Sequence, residues 1–234
     1  MKWTSYHTKE ITQKYLFKFL SLKYTIDFMS SGDIWFSRAS EFGDKMECVL
    51  ISDLTSATLN RDLIEARKKK TLISCWHLAD KESVAMWDVY SKSESERKVC
   101  AIRFERKDID KLIKKSWPTD LNVGTVRALT YGKVQYRNLI NSQNIEKELV
   151  KFNAFRKESS FRYECEYRYV VQLINQFAAD GLRVSIGNPT RLPFTVLLNP
   201  LLDKIQYENL RSELKGYSNV EHSSLAKWLK PEMW

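Results

Sequence analysis

Glycine is scarce in this chain: seven in 234 residues, at positions 32, 43, 124, 132, 181, 187 and 216, no two closer than six apart. The loops G-x-G-x-x-G and G-x-x-x-x-G-K-[ST] need clustered glycines so that backbone amides can approach a phosphate, and neither can be built here. Four cysteines, Cys48, Cys75, Cys100 and Cys165, lie 27, 25 and 65 residues apart, which excludes a zinc knuckle or a C-x-x-C redox motif. Four reduced thiols in a cytoplasmic protein without a leader are expected. Only three histidines occur, His7, His77 and His222, too dispersed for H-E-x-x-H, so no metal is expected. Purely apolar runs do not exceed five residues, far short of the roughly 20 that span a bilayer. No membrane partner is expected.

What is present is charge and hydrophobic mass. Lys+Arg number 38 against 29 Asp+Glu, giving +9 and a pI near 9.3. The cations are spread along the chain, so this permits a nucleic-acid partner without demonstrating one. With 43% hydrophobic and 12% aromatic residues the chain is expected to fold, as one domain over 1–234. Strand-like runs interleave with amphipathic helices without strict βα alternation, which predicts an α+β class, a mixed bent sheet flanked by helices.

The predicted strands are Leu16–Leu20, Asp33–Ser37, Thr71–Trp76, Val99–Phe104, one or two within Thr125–Tyr136 with a bend at Gly132, a long Phe161–Ile174, and a hairpin-like pair, Gly181–Ile186 and Phe194–Leu198. The predicted helices are Lys23–Ser31 stopped by Gly32, Thr58–Lys70, one from about Lys81, Asp108–Lys115, Asn144–Phe155 and Lys204–Leu214.

Three constellations bear on chemistry. In Tyr163-Glu164-Cys165-Glu166-Tyr167-Arg168, two carboxylates at i and i+2 on a strand would share a face and raise each other's pKa. The competing reading is an exposed ladder in which Arg162 and Arg168 neutralise them. The loop Phe42-Gly43-Asp44-Lys45-Met46-Glu47 sets two acids beside a glycine, either as a functional loop or as a turn whose Asp bonds its own backbone. Finally, Trp87 and Tyr90 of Met86-Trp87-Asp88-Val89-Tyr90 could stack a base or sugar, or could simply be core.

The order of these motifs resembles the bacterial domain-of-unknown-function 2971 family over about residues 15–215. Phe17-Lys18-Phe19 is similar to its aromatic-Lys-aromatic strand, and Trp35-Phe36-Ser37 to its strand ending in Phe-Ser. Phe42–Glu47 is similar to its Phe-Asn-Asp-Pro-Phe-Glu loop, with Gly43 for Asn and Lys45 for Pro, so Asp44 and Glu47 are the loop acids carried over. Ile73-Ser74-Cys75-Trp76 leads, as in the family, to Met86–Tyr90, which is similar to its Met-Trp-x-x-Tyr. Glu164-Cys165-Glu166-Tyr167-Arg168 is similar to the closing Glu-x-Glu-Tyr-Arg strand. The resemblance constrains fold more than function.

The same pieces also resemble ADP-ribosyltransferases, in which a basic residue or His on a first strand, a Ser or Tyr ending a second, and a later Glu-x-Glu occur in that order. Lys18, Ser37 and Glu164/Glu166 have this order, Lys18 standing where Arg or His is usual. The likeness implies that NAD is a substrate, that Glu166 holds the nicotinamide ribose and stabilises an oxocarbenium-like state, and that Glu164 activates the acceptor. Aromatics such as Phe17, Phe36 or Trp87 would pack the nicotinamide.

The leading expectation is thus an NAD-dependent, ADP-ribosyltransferase-like effector of bacterial stress, toxin or antiphage systems, acting on protein or nucleic acid. The alternatives are a non-catalytic nucleic-acid-binding module using Trp87 and Tyr90, and a metal-dependent phosphodiesterase using Asp44, Glu47, Glu164 and Glu166.

Overall fold

A computed structural model describes residues 2–8, 11–49, 61–92, 98–117, 125–138 and 150–229. The start of the predicted Thr58–Lys70 helix and the first half of the predicted Asn144–Phe155 helix lie outside these, and the second half, Val150–Phe155, is a 3-10 helix. In chain order the elements are β1 (Trp3–Tyr6), β2 (Tyr15–Ser21), α1 (Leu22–Ser31), β3 (Asp33–Arg38), α2 (Arg61–Lys68), β4 (Thr71–Ala79), α3 (Val84–Lys92) and β5 (Val99–Glu105). They continue with α4 (Arg106–Ser116), β6 (Val126–Lys133), β7 (Gln135–Arg137), β8 (Arg156–Glu158), β9 (Glu166–Leu173), β10 (Gly181–Ser185), β11 (Phe194–Leu198), α5 (Lys204–Glu213), β12 (Val220–His222) and α6 (Ala226–Leu229). The architecture is mixed α/β with a large mixed sheet.

The chain contacts divide it into two units, each gathered from three stretches. The first comprises 1–12, 34–76 and 116–184. Its strands run β1, β6, β9, β4, with β3 beside β4 and β10 beside β3, and β7 and β8 form a separate parallel pair. All eight residues of β9 are buried, so both faces of this strand are covered. Alternation then sorts them: Tyr169 meets Trp3 and Tyr131 on one face, while Val170 joins Ala154, Phe155, Cys48 and Ile73 on the other. Glu166 and Arg168 share the parity of Val170, which carries them into that second layer.

β1 was not legible as a strand, yet it pairs parallel with β6 from Trp3↔Leu129 to Tyr6↔Gly132. This pairing needs Gly132, whose φ is +154° and where an added Cβ would stand 1.8 Å from the Tyr6 carbonyl oxygen.

The second unit comprises 13–33, 77–115 and 185–234. β2 is antiparallel to the end of β4 and to β5, β11 is antiparallel to β5, and β12 is parallel to β11. Phe17 and Phe19 of β2 point to one face, where Met86 and Trp87 of α3 join Val99, Ala101 and Leu197 in a core. On the other face Phe28 of α1 packs against Phe104 and Phe194. Gly32 ends α1 with φ +71°, and its amide bonds the Phe28 carbonyl, the left-handed stop that sequence predicted.

Two predictions fail here. The expected Phe161–Ile174 strand begins only at Glu166, because Ser159–Glu164 forms a 3-10 turn and Cys165 adopts a left-handed conformation (φ 42°, ψ 52°). The expected hairpin between Gly181–Ile186 and Phe194–Leu198 does not form: β10 pairs β3 and β11 pairs β5 and β12, with a 3-10 turn at Pro189–Arg191 between them. Among the described residues no helix is long and apolar enough to cross a membrane.

Candidate functional site

The first unit holds a buried cluster of charge built from both acidic motifs. Its centre is Arg168, whose side chain is fully buried. The guanidinium grips Glu47 with both arms, Nη1 to Oε1 at 2.5 Å and Nη2 to Oε2 at 3.0 Å, and Nη1 also donates to the Ala154 carbonyl at 2.5 Å. Nε donates to Glu166 Oε2 at 2.5 Å, and Nη2 contacts the same carboxylate. One arginine therefore joins the loop acid and the strand acid. Such a planar, bidentate arrangement suits a guanidinium and not an ammonium.

Glu47 reaches Arg168 because its turn is tied down. Asp44 Oδ1 accepts from the Met46 amide at 2.9 Å, the local turn that sequence offered as the plainer reading of the loop. Lys68 Nζ then donates to the Lys45 carbonyl and Asn153 Nδ2 to that of Cys48, at 2.9 and 2.8 Å, while the Arg156 guanidinium bonds that of Val49. Asp44 thus shapes the turn, and Glu47 delivers the charge.

At the edge of the cluster stand Glu164 and Glu166, whose carboxyls hydrogen-bond each other. They meet although they do not share a strand: Glu164 closes the 3-10 turn, and the left-handed Cys165 turns the chain before Glu166 opens β9. Lys157 Nζ lies 2.5 Å from Glu164 Oε2 and 3.5 Å from Glu166 Oε1. Tyr136, which the β7–β8 register sets beside Lys157, accepts the Glu166 amide proton on its hydroxyl at 2.8 Å.

These surroundings drive the two carboxyls apart. Burial pushes Glu164 up, the neighbouring Glu166 charge adds to this, and the group reaches about 7. Burial pushes Glu166 up too, but Arg168 and Lys157 outweigh it and leave the group below its ordinary value. Below about pH 7 the arrangement is a Glu164 acid donating to a Glu166 carboxylate, a pair sharing one proton. Burial lowers Lys157, but Glu166 and Glu164 together raise it, so it stays charged; burial raises the Tyr136 phenol strongly, so it stays neutral.

The exposed ladder considered for this motif does not exist. Arg168 is buried, while Arg162 is exposed in the 3-10 turn. Of the other candidates in the first unit, Ser37 is half-buried on β3 opposite Ile73, and Phe36 is fully buried with its ring 5.5 Å from Trp117. Lys18, Trp87 and Tyr90 belong to the second unit. Lys18 sits half-buried on β2 opposite Ile102. Trp87 is fully buried against Phe19, its indole Nε1 donating to Glu82 at 3.1 Å, and this is the core reading. Tyr90 is exposed and stacks on Phe19 at 5.5 Å.

Sequence reading missed Lys157, Tyr136, Asn153 and Arg156. They arrive through β7, β8 and the turn before β8, and the one signal that could have drawn notice is the basic pair Arg156-Lys157 shortly before two glutamates. Among the described residues no group of three or more His, Cys, Asp or Glu side chains is placed to hold a metal ion. The described unit therefore defines a buried ion network with a proton-sharing carboxyl pair at its edge. No family model, curated protein or solved structure matches the chain.

Proposed function

We propose that the chain is a carboxylate-dependent group-transfer enzyme of the ADP-ribosyltransferase-like kind, a member of the domain-of-unknown-function 2971 family that consumes NAD in bacterial stress, toxin or antiphage responses. The observation that carries this reading is the Glu164–Glu166 pair, one carboxyl holding its proton to about pH 7 and the other kept ionised by Arg168 and Lys157. Two carboxyls with separated proton affinities are how a site runs acid and base steps side by side.

In this reading the bond between ribose C1′ and the nicotinamide nitrogen breaks. Its electron pair leaves with nicotinamide, and the oxocarbenium-like carbon is stabilised by the Glu166 carboxylate. An acceptor O–H or N–H then attacks C1′ and its proton passes to ionised Glu164. The order of Ser37, Glu164 and Glu166 along the chain adds support from likeness, and the missing glycine loop agrees with a site in which strands and side chains hold NAD. The target, protein or nucleic acid, is the acceptor.

The test is release of nicotinamide from NAD by the purified chain. Release should increase as pH rises through about 7, where Glu164 becomes a base, and fall by about 10²-fold or more in Glu164→Gln. No release at any pH, or release indifferent to Glu164→Gln, overturns the reading.

A further inference from the structure

We propose that the second unit carries a binding groove for a small phosphomonoester, between the end of α5 and the edge pair β11–β12. A cavity of about 430 Å³ lies there, within the roughly 300–1,000 Å³ typical of small-ligand sites. Its floor is apolar, with Leu198 and Leu214 buried and Val220 half-buried.

Its walls are mostly hydrogen-bond donors. Arg211 and Lys215, four residues apart around the helix end, bring two cations, and Ser212, Tyr217 and His222 add two hydroxyls and a ring nitrogen. Cations at a helix C-terminus also suit the helix dipole, so charge alone would not single out the groove. The added neutral donors do, because together they suit a ligand rich in anionic oxygen.

Two carboxylates also touch the cavity. Glu221 is drawn to Arg103 at 3.3 Å, on the strand position between Val220 and His222, and Glu208 meets Arg211 only at 4.0 Å. Counted together with Arg103, the Glu221 partner, three cations stand against two carboxylates around the cavity. A guanidinium fork with an ammonium beside it suits an anion with several oxygens and more than one negative charge, such as a phosphomonoester.

His222 is held in a defined orientation. Its ring stacks on Tyr207 with centroids 5.4 Å apart and planes 13° apart, and the Tyr207 hydroxyl hydrogen-bonds Nδ1. Burial and the nearby Arg211 charge keep the imidazole below its ordinary value, hence neutral at pH 7. This stacking and hydrogen bond hold the imidazole in place at the cavity wall.

Calorimetric titration of the whole chain with adenosine 5′-monophosphate, inorganic phosphate and adenosine, at low salt, tests the groove. The monophosphate should bind, phosphate should compete with it, and adenosine alone should bind at least about tenfold more weakly. Arg211→Ala/Lys215→Ala should weaken monophosphate binding by about tenfold or more and His222→Gln by a few-fold. Absence of monophosphate binding, binding unchanged in the Arg211→Ala/Lys215→Ala chain, or equal binding of adenosine overturns the proposal.

Discussion

At the scale of single residues, Glu164 and Glu166 show how neighbours two apart in sequence acquire opposite chemistry. Only one of them touches Arg168, and this decides which keeps its proton. The linkage to stability is set by the directions of the two shifts. Glu166, held below its ordinary value, stabilises the fold above the unfolded carboxyl range, and this is lost as pH falls. Glu164, raised to about 7, favours the fold while protonated, and this is lost as pH rises from the ordinary carboxyl range through 7. The unfolding free energy, followed through denaturation midpoints, should therefore decline between about pH 5 and pH 8 by on the order of 2 kcal/mol, solvent screening of the partly exposed carboxyl included. Glu164→Gln should flatten that decline, whereas an unchanged slope in the variant would show that another group titrates there.

The central ion pair is also the least legible part of the site. Glu47 and Arg168 each stood out in a motif, but 121 positions separate them. Local pattern reports which face a side chain takes and nothing about its partner across the fold. Lys157 and Tyr136 illustrate the same limit more strongly, since the β7–β8 pair is three residues long on each side and carries no alternation worth reading.

Among the elements, those with apolar periodicity were the legible ones: β2, α1, β3, β4, β5, α4, β6, β9 from Glu166 onward, β11 and α5 all fall close to where the pattern puts them. β1 and β12, of four and three residues, were not, because an edge strand that short is specified by its neighbour and not by its own sequence. The 3-10 turn before β9 was hidden for another reason. Phe161-Arg162-Tyr163 is as β-prone as Tyr167-Arg168-Tyr169, and only the left-handed Cys165 separates turn from strand. Gly132 is the element-scale position most exposed to test. Gly132→Ala would drive a Cβ into the Tyr6 carbonyl and should cost about 1–3 kcal/mol. Hydrogen exchange should then show the Trp3–Tyr6 amides losing protection before those of β9; equal loss in both strands would contradict a role confined to the β1–β6 pairing.

For the molecule as a whole, the charge of +9 is shared almost evenly. The first unit carries 19 Lys+Arg and 14 Asp+Glu (19 − 14 = +5), and the second 19 and 15 (19 − 15 = +4). Neither unit is a basic module in the way a dedicated nucleic-acid reader is, and part of this charge is neutralised internally, at Arg168 and Lys157 in the first unit. Electrophoretic shift of RNA or DNA should therefore be weak at low salt and absent by about 200 mM, the behaviour of contacts with phosphate alone. A shift that persists at that ionic strength would instead favour the nucleic-acid-binding alternative.

The cysteines supply something beyond chemistry. Cys48 lies buried in the first unit and Cys100 in the second, and burial raises both thiols, Cys100 to about 12. A thiol that is both shielded and protonated does not react until the structure around it opens. Each unit thus carries its own internal clock: the rate at which an alkylating reagent finds Cys48 reports opening of one, and the rate at Cys100 reports opening of the other, in a single unmodified chain.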